Sequence, residues 1–64
     1  MASSETRVKA ARTARDERLV DVAERAGISV SYLSMIENGL VPKLDTRVKV
    51  AAALEEAETE LWPA

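Results

Sequence analysis

The sequence predicts an all-α protein, a small bundle of four to five helices with a central helix-turn-helix. Three observations predict it. The composition favours helix: Ala, Glu, Arg and Leu abound, with two Gly, two Pro and no Phe. The period-two alternation of half-buried strands is nearly absent. And the stretch from Val22 to Gly39 reads as helix, tight turn, helix, stop.

That stretch sets the frame for the rest. Val22, Ala23 and Ala26 form one apolar stripe of a short helix. Gly27 follows where a left-handed backbone angle is cheap only for glycine. Ile28 is the apolar plug of the turn, and Ser29 is a good N-cap, its hydroxyl free to accept an orphan backbone N–H. Leu33 and Ile36 give the next helix its inward side, and Asn38-Gly39 ends it. Two helices joined by so short a Gly-containing turn form a helix-turn-helix, which can lay its second helix in the DNA major groove. An ordinary helical hairpin has the same local signature. The outward side of the second helix carries Val30, Ser31, Ser34 and Met35, small or unbranched side chains.

The other elements follow in chain order. Ser3 or Ser4 can cap a first helix over about 5–15, with Glu5 in its first turn. Val8, Ala11 and Ala14 give it a weak apolar stripe, while Arg7, Lys9, Arg12 and Arg15 charge it. Asp16-Glu17 marks the break. The second helix spans about 19–25; Leu19 and Val20 cannot both face the core. The third runs about 30–38. Pro42 biases Val41 to an extended conformation and can open the next helix. The fourth helix, about 44–60, carries Leu44, Val48, Ala51, Ala52 and Leu54 as its apolar stripe, with no breaker before Leu61. Leu61 and Trp62 either fold back onto the core or form a contact between two copies. No repeat, linker or low-complexity segment interrupts 1–64, read as one domain.

Composition excludes several functions. There is no Cys and no His, which removes disulfides, thiolate metal sites, the usual general base and the commonest metal ligand. With no Gly-rich phosphate loop and no base partner for the five Ser, an enzyme is not expected, nor any cofactor or metal. No apolar run approaches the roughly 20 residues of a membrane span. Residues 1–15 lack the hydrophobic stretch of a signal peptide, so a cytoplasmic location is expected. The formal charge is −2, unevenly spread. Residues 1–54 hold nine Lys and Arg against seven acids, a net of +2; the last ten hold four Glu. A DNA-binding face needs local positive potential, not a basic whole.

These residues resemble the lambda-repressor-like, Cro-type (XRE) helix-turn-helix domains of phage and bacterial transcription regulators. The resemblance rests on Ala23-Glu24-Arg25-Ala26-Gly27-Ile28-Ser29, Ser31-Tyr32-Leu33-Ser34, Ile36-Glu37-Asn38-Gly39, and Pro42-x-Leu44-Asp45-Thr46 followed by Ala51-Ala52-Ala53-Leu54. It covers about residues 7–54. It implies a double-stranded DNA partner and base-facing positions at Ser29, Val30, Ser31, Ser34 and Met35. Arg12 would pair with Glu37 and could also touch phosphate, with Asn38, Lys43, Arg47 and Arg15 as further phosphate contacts. A homodimer on a two-half-site operator is implied, formed through the fourth helix and the C-terminal end, where Leu61 and Trp62 are candidate dimer contacts, and so is a bacterial cytoplasmic or nucleoid location, including a phage-infected host. Asp21 to Ser29 and the Thr46-Arg47-x-Lys49-Val50 segment are also similar to the headpiece of LacI-type repressors, which lack a helix like 5–15.

The departures from the pattern are specific. Leu19 stands where the family often carries a polar phosphate contact, and Glu17 where it usually buries a Leu. Val30 and Met35 replace frequent Arg, Lys or Gln. Glu55 replaces the Gly after the fourth helix, which merges the fifth helix into the fourth. The alternative reading is a protein-binding module, antitoxin-like or a regulatory adaptor, that keeps the fold with weak or no DNA binding.

Overall fold

A computed structural model describes residues 6–63. Among them the chain forms five helices and no strand: α1 (Arg7–Ala14), α2 (Leu19–Ala26), α3 (Val30–Glu37), α4 (Leu44–Ala53) and α5 (Glu58–Leu61). The helix α2 packs on α3 and α4, α1 packs on α3 and α5, and α4 packs on α5. One cluster of buried side chains joins them, centred on Val8, Val22, Leu33, Ile36, Val50 and Leu54.

Each boundary has a local cause. The Thr6 hydroxyl accepts the Lys9 backbone N–H at 3.2 Å and caps α1. The helix thus starts later than about residue 5, and the expected caps Ser3 and Ser4, with Glu5, lie outside the described residues. The end of α1 is fixed by Asp16, whose φ of 56° is left-handed and cannot continue a helix. At the start of α2 the Asp21 carboxylate accepts the Arg18 backbone N–H and its guanidinium, closing the first turn on itself. Leu19 packs against the core and Val20 stays exposed, so the two apolar neighbours divide as expected.

Two expectations for the fourth helix are corrected. It does not run to residue 60. The chain breaks after Ala53, where Glu55 adopts a φ of 57°, and the Glu56 N–H donates back to the Ala51 carbonyl at 2.9 Å. A Glu here takes the left-handed cap position that glycine usually fills. Its good helix propensity gave no sign of the break. Propensity is a weak prior against the burial of Leu61, which the turn permits by bringing α5 back onto α1 and α4. The inward stripe also differs. Val50, Ala51, Ala53 and Leu54 are buried, whereas Leu44, Val48 and Ala52 are exposed. The helix α4 has two apolar sides, and spacing alone could not tell which one meets the core.

Candidate nucleic-acid interface

The turn between α2 and α3 is built by three residues. Gly27 has a φ of 74°, and its N–H donates to the Glu24 carbonyl at 3.1 Å. The Ile28 N–H donates to the Ala23 carbonyl at 3.0 Å, completing a left-handed helix stop, and its side chain packs on the core. The Ser29 hydroxyl accepts the Tyr32 N–H at 3.0 Å. It is therefore occupied as a cap. Leu33 and Ile36 bury the inner side of α3, leaving Val30, Ser31 and Met35 exposed and Ser34 half-exposed. Positions 30, 31, 34 and 35 share one side of a helix, so the structure brings these four together on a free face. Met35, at 55% exposure, is its largest side chain.

The helix α3 is held at that angle by a buried ion pair. Arg12 on α1 reaches the Glu37 carboxylate twice, Nε to Oε2 at 2.6 Å and Nη2 to Oε1 at 3.1 Å. Glu37 is only 5% exposed, and Arg12 is nearly as covered. The same guanidinium donates to the Glu17 carbonyl at 2.8 Å, and the Thr6 hydroxyl donates to the Glu37 carbonyl at 3.0 Å. The beginning and end of α1 are thus tied to the last turn of α3. The bidentate geometry uses the guanidinium as a fork, which no lysine could do.

The remaining predicted phosphate contacts separate into two groups. Asn38 is the exposed C-cap of α3, its amide donating to the Ser34 carbonyl at 2.9 Å. Lys43 is the exposed residue before α4. Asn38 thus closes α3 and Lys43 opens α4, at the two ends of the connection between them. Arg47 is half-buried, with Nε 2.7 Å from the Glu58 carboxylate and Nη1 2.8 Å from the Pro42 carbonyl. Arg15 reaches Glu17 and Glu55. The six arginines all donate to oxygens within the chain. Five of these guanidinium groups reach across the bundle, whereas Arg18 pairs with Asp21 in the first turn of its own helix and, at 78% exposure, joins Lys9, Lys43 and Lys49 as the more open cations. Of the two alternatives for the C-terminal end, the structure shows the fold-back: Leu61 is part of the core at 6% exposure, and Trp62 packs half-buried against it.

Sequence reasoning missed Arg25. Its guanidinium donates to the Ala53 carbonyl at 2.9 Å and to the Glu17 carboxylate at 2.6 Å. Glu17 is also reached by Arg15, so it is the hub joining the α1–α2 turn, α2 and the end of α4. Hydrogen bonds from Arg25 first and Arg15 second hold the Glu17 carboxyl below its ordinary range. Arg18 does the same to Asp21. The departure of Glu17 from an apolar family position was the available signal: a carboxylate there has to find cations.

Among the described residues no group of His, Cys, Asp and Glu could hold a metal, and no helix is long and apolar enough to cross a membrane. A short helix anchored in a bundle by its inner side, entered through a Gly–apolar–Ser turn and with its outer side free, is the arrangement found in helix-turn-helix DNA-binding domains. The model of the Helix-turn-helix family matches residues 8–61, and the chain belongs to that family, the Cro/C1-type (XRE) helix-turn-helix proteins. Membership makes it a DNA-binding helix-turn-helix regulator in general terms. No curated protein gives a significant sequence match.

Proposed function

We propose that the chain is a sequence-specific, double-stranded-DNA-binding transcriptional regulator, a Cro-like phage or bacterial repressor that acts by occupying its operator. The observation that carries this reading is the free side of α3, where Val30, Ser31, Ser34 and Met35 are presented together while Leu33 and Ile36 anchor the helix. In the major groove, Val30 and Met35 can pack on thymine methyl groups, and Ser31 and Ser34 can hydrogen-bond base edges. Asn38 and Lys43 meet phosphate and set register without reading sequence. Arg12, Arg15 and Arg47 support the frame, with phosphate contact a secondary role. One copy carries one helix-turn-helix, so an operator of two half-sites about 34 Å apart calls for two copies.

The test is selection of duplex from a random pool, followed by binding in excess random duplex. Met35→Ala and Ser31→Ala should change the preferred sequence more than the total affinity. Lys43→Ala should weaken all sequences alike. Equal losses on every sequence from the α3 variants would overturn the base-facing assignment.

One observation favours the alternative of a protein-binding module. The helix α3 carries no Lys or Arg, and its one charged residue, Glu37, is buried. An uncharged apolar face can dock protein as well as lie in a groove. That reading predicts no preference among duplexes and no steep dependence of binding on salt.

A further inference from the structure

A groove of about 570 Å³ lies between the start of α1, the connection from α3 to α4, and the residues that follow α5. That volume falls within the roughly 300–1,000 Å³ of sites that take small organic molecules. Val8 and Leu61 reach it from the core, and Leu40, Val41 and Trp62 form its apolar walls. Leu40 at 39% exposure and Val41 at 63% are apolar side chains that the described residues leave uncovered.

The charge in the groove has one sign. The chain carries 11 acidic residues and a net charge of −2, yet none of the described residues lining the groove is acidic and two are arginines, Arg7 and Arg47. The two differ in how far they are already satisfied. Arg47 is committed to the Glu58 carboxylate at 2.7 Å and the Pro42 carbonyl at 2.8 Å. Arg7 is exposed and has no carboxylate partner among the described residues. Its bond to the Glu60 carbonyl is a long one, at 3.3 Å.

We infer that the groove is a binding site for a small organic carboxylate, aromatic or alkyl. Its apolar body lies against Leu40, Val41 and Trp62, and its carboxylate meets the guanidinium of Arg7. Apolar walls with a few placed polar groups suit such a molecule, and the guanidinium fork matches a carboxylate better than any other side chain does. An amine of the same shape would face two guanidinium groups and no acid. None of Val30, Ser31, Ser34, Met35, Asn38 and Lys43 lines the groove, so the inference does not rest on the DNA reading.

NMR titration of the full chain with two probes of like shape and opposite charge, phenylbutyrate and phenylbutylamine, tests it. Phenylbutyrate should saturate with a dissociation constant of about 1 mM or tighter, moving the backbone N–H signals of Val8, Gly39 and Val41 and the indole N–H of Trp62. The amine should bind at least about fivefold more weakly, and Arg7→Gln should bring the two probes to within about twofold of each other. Val41→Asp, which places an acid in the wall, should weaken phenylbutyrate by at least about threefold and reverse the preference. Arg7 and Val41 are both exposed, so circular dichroism should report unchanged folding. Leu44→Ser, at an exposed apolar position outside the groove, should change neither affinity. No saturation, equal affinities in the wild type, a preference that survives Arg7→Gln, or shifts centred on Leu44 and Val48 would overturn the inference. So would an affinity that falls as protein concentration is raised, which would give the groove to a second copy.

Discussion

Glu37 is a carboxylate buried in a chain too small to hide an unpaired charge. Its two contacts with Arg12 offset the desolvation, and the pair is worth most when judged by what happens on losing one partner. Arg12→Met should destabilise the domain by about 3–5 kcal/mol, much of the roughly 3–10 kcal/mol expected for a chain of this size. Urea unfolding checks it. The double change Arg12→Met with Glu37→Leu should recover a large part of the loss, because no charge is then stranded. Glu55 presents the opposite case, a residue whose backbone is strained and whose side chain contributes little. At φ 57° it carries the left-handed penalty, and its contact with Arg15 is an exposed 3.4 Å pair. Glu55→Gly should raise the midpoint of thermal unfolding by a few degrees, equivalent to about 0.5–1 kcal/mol once the flexibility of glycine is subtracted. A fall in the midpoint would mean that the Arg15 contact outweighs the strain.

Helices α2 and α3 were legible in the sequence because their signals are local and agree. The stripe of Val22, Ala23 and Ala26, the left-handed Gly27 and the Ser29 cap each name the same boundary. The helix α4 was legible as a helix but not in its length or its inward side. Its stop depends on Glu55 adopting a conformation its propensity opposes, and its orientation on which of two apolar sides meets α2. Ion pairs between elements were the least legible. Arg47 and Glu58 lie on either side of a break that the sequence hides, and Arg25 reaches a carbonyl of α4 that no side-chain pattern announces. Glu17 makes the joint between elements sensitive to acid. Its folded pKa is lowered by Arg25 and Arg15, so the stability it contributes is present above its unfolded value and lost as pH falls through the folded one. Glu17→Gln should therefore be less stable than wild type at neutral pH. The difference should close as pH drops below the ordinary carboxylate range, as followed by unfolding at a series of pH values. A gap that persists unchanged at low pH would assign the loss to packing and not to charge.

At the scale of the whole molecule, a net charge of −2 and DNA binding are compatible because the charges are already allocated. Arginines and carboxylates neutralise one another across the joints of the bundle, and the acidic residues of the last ten include two that do this work, Glu55 with Arg15 and Glu58 with Arg47. What remains for phosphate near α3 is sparse: Lys43 at the start of α4, with Asn38 and backbone N–H groups as uncharged donors. Only cation–phosphate contacts release counterions, so the salt dependence counts them. Two copies each neutralising one or two phosphates give a slope of log affinity against log salt of about −2 to −4, well short of the roughly −10 of a strongly cationic repressor. Lys43→Ala in both copies should flatten the slope by about 2, one unit for each lysine removed. Met35→Ala should leave the slope unchanged while shifting the preferred sequence, because it removes a base contact and no charge. Titration of duplex binding against salt separates the two. The lysines and Arg7, which no carboxylate pairs among the described residues, are eight cations in two copies, so a slope steeper than about −8 would require other arginines to leave their carboxylates on binding.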